Sequence, residues 1–166
     1  MLVRTVVMVA ALTAGLAEGL PLQPSHATVD GSMTVAGKVS KLGHVRAFAK
    51  KVFGRPAVLL VFSDAPLSAA DADNDTKLSE LANGGGLHAM GILTGDDPTG
   101  KKQAISNEIY DQGLHGRMSI GGQDTFEARK GTDKWISGRL YLATPKKFES
   151  GVTFTYDVTF DAPIEP

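Results

Sequence analysis

Three of the four histidines are the residues whose type best suits binding chemistry. His44, His88 and His115 each follow a glycine or a Gly-Leu pair, and each is predicted to open a strand. Neutral imidazoles are good ligands for zinc and copper, so their convergence would make a metal site. The close spacings H-x-H and H-x-x-x-H do not occur. The three are therefore candidate binding residues with no metal or cofactor assigned, and the alternative is half-buried histidines that donate to backbone carbonyls.

A run of alternating carboxylates, Asp71-Ala72-Asp73-Asn74-Asp75, resembles the first half of a calcium-binding loop. The second half does not fit, because position 6 is Thr76 instead of glycine and position 12 is Ala82 instead of glutamate. The same side-chain types commonly cap helices. We therefore predict a short helix that Asp75 or Thr76 caps at its start and that Gly84 ends in a left-handed conformation.

The sequence carries no coherent catalytic set. The G-x-S-x-G signature of a nucleophile elbow is absent. Asp157 and Asp161 share one strand face about 13 Å apart, which is too far for the paired carboxylates of a glycosidase. Trp135, Tyr141 and Phe148 are candidates for an aromatic strip that binds sugars, and the alternative is that they pack against the core. We predict a non-enzymatic protein.

The elements that would position these residues are mostly strands. Apolar and polar residues alternate strictly from Val152 to Asp161, which predicts a strand with one buried face, and Pro163 is expected to end it. Trp135 to Leu142 alternates in the same way. Ala57 to Phe62 is a continuous apolar run, typical of a central strand that is covered on both faces. Arg55-Pro56 precedes that run as a break.

Further segments are predicted to pair as hairpins around turn-forming residues. The three predicted pairs are Met33–Val39 with His44–Lys51, Leu87–Thr94 with Lys102–Ile109, and His115–Ile120 with Asp124–Lys130. Eight or nine short strands with one short helix predict an all-β, antiparallel sandwich that is loosely immunoglobulin-like. We expect it to form a single domain over 28–166.

Residues 1–27 have the order of a cleaved secretory signal peptide. Arg4 precedes the uncharged segment Thr5–Leu16, and the small-x-small triplet Ser25-His26-Ala27 follows. The apolar segment is about 12 residues, short of the roughly 20 that span a bilayer, so no membrane span is predicted. The chain has no cysteine, which predicts neither disulfides nor a lipid anchor. We expect export to the bacterial periplasm or beyond.

Parts of the mature chain resemble small exported bacterial proteins of uncharacterised function. The similar segments are Trp135–Tyr141, Phe148, Phe154–Ile164 and Ala57–Leu67, about a third of the chain. The resemblance implies export and a β-fold, and it brings no catalytic residues with it.

The charge balance limits the class of partner. The net charge is −1 at pH 7, whereas nucleic-acid affinity depends mainly on an excess of Lys and Arg. We therefore expect no nucleic-acid partner, and we predict an exported envelope protein that binds a protein or a surface component. The alternatives are a periplasmic metal-binding protein that uses the strand-start histidines and, further, a carbohydrate-binding module.

Overall fold

A computed structural model describes residues 26–121, 124–129 and 132–166. The predicted signal peptide, 1–27, lies outside the described residues except for its last two positions. No helix in these ranges is long and apolar enough to cross a membrane.

The described residues are mainly strands, which confirms the all-β prediction. The strands are β1 (Thr28–Val35), β2 (Lys38–Lys41), β3 (His44–Val52), β4 (Arg55–Ser63), β5 (Ala89–Asp96), β6 (Lys102–Tyr110), β7 (Met118–Gly121), β8 (Thr125–Ala128), β9 (Trp135–Tyr141), β10 (Lys146–Lys147) and β11 (Thr153–Glu165). The helices are α1 (Ala69–Ala72) and α2 (Asp75–Asn83), and a 3-10 turn spans Gln112–Leu114.

The strands form one connected sheet that curls back on itself. One path runs β2-β1-β11-β3-β4-β5-β6-β7, while β9 and β10 pair with β11, and β8 pairs with β9. Every pair is antiparallel except β11 with β3, where Ile164 and Glu165 run parallel to Ala47 and Phe48. The fold thus differs in detail from the prediction: it has more strands, a second short helix and one parallel pair. We call β3 to β7 the β4 half and the remaining strands the β11 half.

β11 connects the two halves because it continues past the expected stop at Pro163. The strand pairs with β1 up to Asp161 and with β9 up to Pro163, and it then joins β3 from Ile164. Proline lacks a backbone donor, so it is tolerated where a strand has no ladder partner on that side. Pro163 lies at that point, between the end of the β1 pairing and the start of the β3 pairing.

The main core lies between the two halves. The buried face of β11 presents Phe154, Tyr156, Val158 and Phe160, as the alternation predicts. The Phe160 ring packs edge-on against Phe62 of β4, with ring centroids 5.2 Å apart. Aromatic contacts of this geometry stabilise a core beyond the burial of area alone.

A small polar cluster interrupts this core. The Tyr156 hydroxyl donates to Asp124 Oδ1, and Asn107 Nδ2 donates to the same oxygen at 2.9 Å. Asn107 Oδ1 and Asp124 Oδ2 are buried without a hydrogen-bond partner among the described residues. Burial and the charge of Asp124 raise the pKa of Tyr156, so its hydroxyl stays protonated and keeps donating.

Two of the three predicted hairpins pair differently in the fold. Met33–Val39 is broken by a turn at Ala36 and Gly37, both at positive φ, so β1 pairs with β2 and β3 pairs with β4. β7 pairs with β6 and β8 with β9, so these two strands are not partners. The predicted β5–β6 hairpin is confirmed. Turn signals show where the chain bends, but they do not set which strands meet.

The two helices pack on the outer face of the β4 half and form a second core. Leu78 and Ala82 of α2 contact Val61 and Tyr110 of the sheet in a buried cluster. The N-cap of α2 is Asn74 instead of the predicted Asp75 or Thr76. At its other end Gly84 is right-handed, and Gly85 takes the positive φ of 72°. The glycine that provides the left-handed residue is therefore one position later than predicted.

We expect the protein to lose stability above pH 10 because two buried tyrosines resist ionisation. Burial, with the nearby Asp75 and Asp124, raises the pKa of Tyr110 and of Tyr156. The unfolded tyrosine ionises near pH 10. The stability linked to each raised pKa is therefore complete below pH 10 and falls by about 1.4 kcal/mol per pH unit above it.

Urea unfolding at pH 9, 10 and 11 measures this loss. Lysines also titrate in this range, so Tyr156→Phe provides the comparison. The free energy of unfolding of the variant should fall less steeply with pH than that of the natural protein. The difference should be the contribution of one tyrosine, about 1.4 kcal/mol per pH unit. Equal slopes for the two proteins would contradict the assignment.

Candidate functional site

The structure places the three candidate histidines in different settings. His44 opens β3, as predicted, and is exposed opposite Ser63. His88 lies immediately before β5. His115 does not open a strand, because it ends the 3-10 turn in a left-handed conformation and β7 begins only at Met118.

Among the residues that the structure describes, His88 is the one of the three histidines whose side chain makes a polar contact. Its Nδ1 lies 2.6 Å from Asp111 Oδ2, and its backbone N–H donates to Asp64 Oδ1 at 2.9 Å. Asp111 also accepts from Gly113 N at 2.7 Å. No group of three or more His, Asp and Glu side chains within 26–121, 124–129 and 132–166 is arranged to hold a metal ion. These contacts tie the start of β5 to the 3-10 turn.

The run of alternating carboxylates lies at the starts of the two helices, where Ser68 and Asn74 are the N-caps and the aspartates contact separate partners. Ser68 caps α1 and donates to Asp71 Oδ2 at 2.7 Å, and Asn74 Oδ1 accepts from the Lys77 N–H at 3.0 Å. Asp73 Oδ1 lies 2.5 Å from Lys50 Nζ. Within this run the capping interpretation is confirmed for Asn74, while Asp71 and Asp73 contact Ser68 and Lys50.

The three aromatic residues do not form a continuous strip. Trp135 and Tyr141 stand on the same face of β9, six residues or about 20 Å apart. Arg139 lies between them with its guanidinium 4.5 Å from the Tyr141 ring centre. Phe148 stacks on Phe154 and packs against the main core. A flat platform for a sugar ring is therefore not present on this strand.

The outer face of the β4 half is covered by the helices over only part of its length. Beyond the helices, half-exposed apolar side chains from β3, β4, β5 and β6 continue to the end of the sheet. We call this area the open face and define it by Val52, Leu59, Leu93, Ile105 and, at its edge, Phe53.

A cleft of about 280 Å³ runs between the helices and the open face. Leu59 and Leu93 form its floor together with Gly91, where the absence of a side chain leaves room beside Tyr110. Clefts with apolar floors and a few polar groups are the usual form of binding sites. This cleft has the composition of a site that takes an apolar group from a ligand or partner.

The wall on the α2 and β6 side is a closed polar network. The Tyr110 hydroxyl donates to Asp75 Oδ1 at 2.8 Å. Arg117 lies between the two carboxylates, with Nη2 3.2 Å from Asp75 Oδ2 and Nε donating to Glu108 at 2.9 Å. The hydrogen bond that Arg117 donates to Glu108 raises the pKa of Arg117, and burial raises the pKa of Tyr110. These groups satisfy one another and hold the wall in place.

Phe53 lies at the other end of the open face, in the tight turn between β3 and β4. Phe53 and Gly54 have φ values of 49° and 79°, which is the pattern of a type I′ turn. Asparagine normally fills the first position, because a bulky side chain is strained at positive φ. The ring nevertheless has a relative exposure of 101%. A strained backbone and a fully exposed aromatic ring occur here in one residue.

We call the turn that carries Phe53 the tip. A second hollow of about 390 Å³ connects the tip with the cleft. Val52 lines both hollows, and Ile105 lies over Gly95, where any Cβ would be only 2.8 Å from Ile105 Cδ1. A β-bulge opposite Leu93 brings Ile105 to this surface. The exposed tip and the cleft therefore form one continuous apolar surface.

The sequence analysis did not identify Phe53 as a functional residue. A usable signal was present, because an aromatic residue precedes glycine where a two-residue turn would favour asparagine. The sequence predicts the break between strands at Arg55-Pro56, but in the structure these two residues are the first two of β4. The Phe-Gly pair would have been informative only with the strand pairing known.

We expect Phe53→Asn to raise the free energy of unfolding by about 1 kcal/mol, because asparagine tolerates positive φ better than phenylalanine. Chemical denaturation measures the change. Phe53→Ala is the matched control: it removes the ring but keeps a Cβ at positive φ, so it should have little effect. Equal increases in the free energy of unfolding for both variants would show that the exposed ring, and not backbone strain, destabilises the natural protein.

Comparison with protein-family models, with curated protein sequences and with solved structures finds no match to this chain.

Proposed function

We propose that this chain is an exported, non-enzymatic binding protein of the bacterial envelope that holds a segment of a partner protein on the open face. The observation that carries the proposal is the fully exposed ring of Phe53 on a strained turn beside an uncovered apolar surface. Strain and exposed apolar patches of this kind mark interaction sites. Export rests on the signal-peptide pattern of residues 1–27.

The polar groups around the cleft support binding instead of catalysis. Asp75 and Glu108 are both paired with Arg117, and the Tyr110 hydroxyl donates its hydrogen bond to Asp75. A general acid or base must lie within hydrogen-bond reach of the proton that it transfers, and these groups direct their polar atoms at one another. Groups that are saturated by each other act as a rigid wall, which suits a surface that holds a partner in one position.

Site-specific photo-crosslinking in cells that produce the protein tests this function. A photoreactive phenylalanine analogue at position 53 should give an adduct of discrete mass. Leu93→Ala in the same chain should reduce that adduct, because Leu93 forms the floor of the open face. The control places the analogue at Val39, which is 70% exposed on β2 in the other half. Equal adducts from both positions, or none from position 53, would contradict the proposal.

A further inference from the structure

We infer that the partner segment is acidic as well as apolar, and this inference rests on the proposed function. The ground is the charge around the Phe53 tip. Lys51 and Arg55 flank the tip two positions away on either side, and Lys101 lies in the adjoining β5–β6 loop. None of these three cations forms an ion pair with any residue that the structure describes.

The carboxylates of the adjoining β5–β6 loop already have partners within that loop or beside it. Asp96 is paired with Lys102 at 2.7 Å. Asp97 accepts from the Thr99 hydroxyl at 2.7 Å and from the Lys101 backbone N–H at 2.9 Å, and these contacts lower its pKa. It therefore stays charged and holds its own loop. The tip end thus carries a positive excess, although the whole chain has a net charge of −1.

The two ends of the open face differ in polarity. Towards α2, Arg117 lies between the carboxylates of Asp75 and Glu108 and is paired with both. At the tip, Lys51 and Arg55 border apolar side chains and form no ion pair within the part of the chain that the structure describes. Asp96, which lines the same hollow as Arg55, is paired with Lys102 instead. Complementary charge steers encounter and fixes orientation on a surface of this kind. A bound segment is therefore expected to place its apolar side chains over Leu93 and its carboxylates near the tip.

A protein segment fits this surface better than a lipid bilayer does. Leu59 and Leu93 lie on the floor of a cleft that is walled by the helices, where a flat membrane surface does not reach. Phe53 is the fully exposed apolar side chain of this face, and three cations are fewer than the clusters of about four to eight that typify binding to acidic lipids. Concave shape and limited charge together favour an acidic, apolar peptide.

Selection of displayed random short peptides on the purified protein tests the inference. We expect the enriched peptides to combine Asp or Glu with aromatic or aliphatic residues. A synthetic peptide of this kind should lose at least about tenfold in affinity on Phe53→Asn. The double variant Lys51→Gln/Arg55→Gln should also weaken it about tenfold and reduce its sensitivity to salt between about 0.01 and 0.15 M.

The control is Lys38→Gln/Lys41→Gln, which removes the same charge from two exposed lysines of β2. It should leave the affinity within about twofold if the attraction is local. Enriched peptides that are neutral or basic, yet depend on Phe53, would overturn the acidic partner and leave the proposed function standing. Selected peptides that bind without regard to Phe53 and Leu93 would overturn both. Sedimentation with vesicles that contain anionic phospholipid, lost on Phe53→Asn, would overturn the peptide in favour of a membrane.

Discussion

Replacement of Phe160 by alanine is expected to lower the free energy of unfolding by about 3–5 kcal/mol. The ring is only 2% exposed and lies between Phe62 of the β4 half and Phe126 of the β11 half. Its removal leaves a cavity at the contact between the two halves. The neighbours belong to paired strands, so they have little freedom to fill the space.

Equilibrium unfolding in urea measures this effect, and Phe53→Ala is the matched control. The same atoms are removed there from a ring that touches solvent on all sides. The control should change the free energy of unfolding by less than about 0.5 kcal/mol. Comparable losses from the two variants would mean that Phe160 is not at the centre of the core described above.

Replacement of Gly31 by alanine is expected to destabilise the protein by about 3 kcal/mol or more. Gly31 pairs with Val158 in the β1–β11 ladder. An added Cβ would lie 2.6 Å from the Val158 Cα and would also overlap the carbonyl oxygen of Asp157. Both atoms belong to backbone, so no side-chain rotation relieves the clash. Glycine inside a strand marks such a close approach of another backbone.

Gly43→Ala is the control for this prediction. Gly43 lies in the connection between β2 and β3, and no atom lies within 4 Å of a Cβ added there. Thermal unfolding should show a large loss for Gly31→Ala and almost none for Gly43→Ala. If both variants melt together with the natural protein, β1 and β11 are not as close as described.

The proposed binding face depends on the same β4 half that forms one wall of the core. β4 is covered on both sides, with Leu60 and Phe62 facing the main core and Val61 facing the helices. A rigid strand of this kind carries the open face at one end and the helical cover at the other. Binding residues on regular elements lose little conformational entropy when a partner binds. Phe53 lies on a turn and not on a strand, but the pairing of β3 with β4 on either side fixes its backbone.

The local pattern of the chain was sufficient to predict the strands. Strict alternation from Val152 to Asp161 predicted a strand with one buried face, and the continuous run Ala57–Phe62 predicted a central strand. Both are confirmed because side-chain direction alternates along any extended backbone and burial follows directly from it. The capping interpretation succeeded at Asn74 for the same reason, since a cap involves residues only three positions apart.

The candidate site could not be predicted in this way. The histidines were chosen by residue type, and the structure places them in three separate settings. Phe53 was overlooked because its exposure depends on where β3, β4 and the β5–β6 loop end relative to one another.

The amino-acid sequence alone determined that this chain forms strands and which side of each strand is buried, because those properties are set by neighbours along the chain. Only the tertiary structure decided that β11 passes Pro163 to join β3, and that Tyr110 meets Asp75 across 35 positions. It also decided that Phe53 stands uncovered at the end of an apolar face. Such contacts depend on which distant segments pack together, and the periodicity of one segment carries no information about its partner.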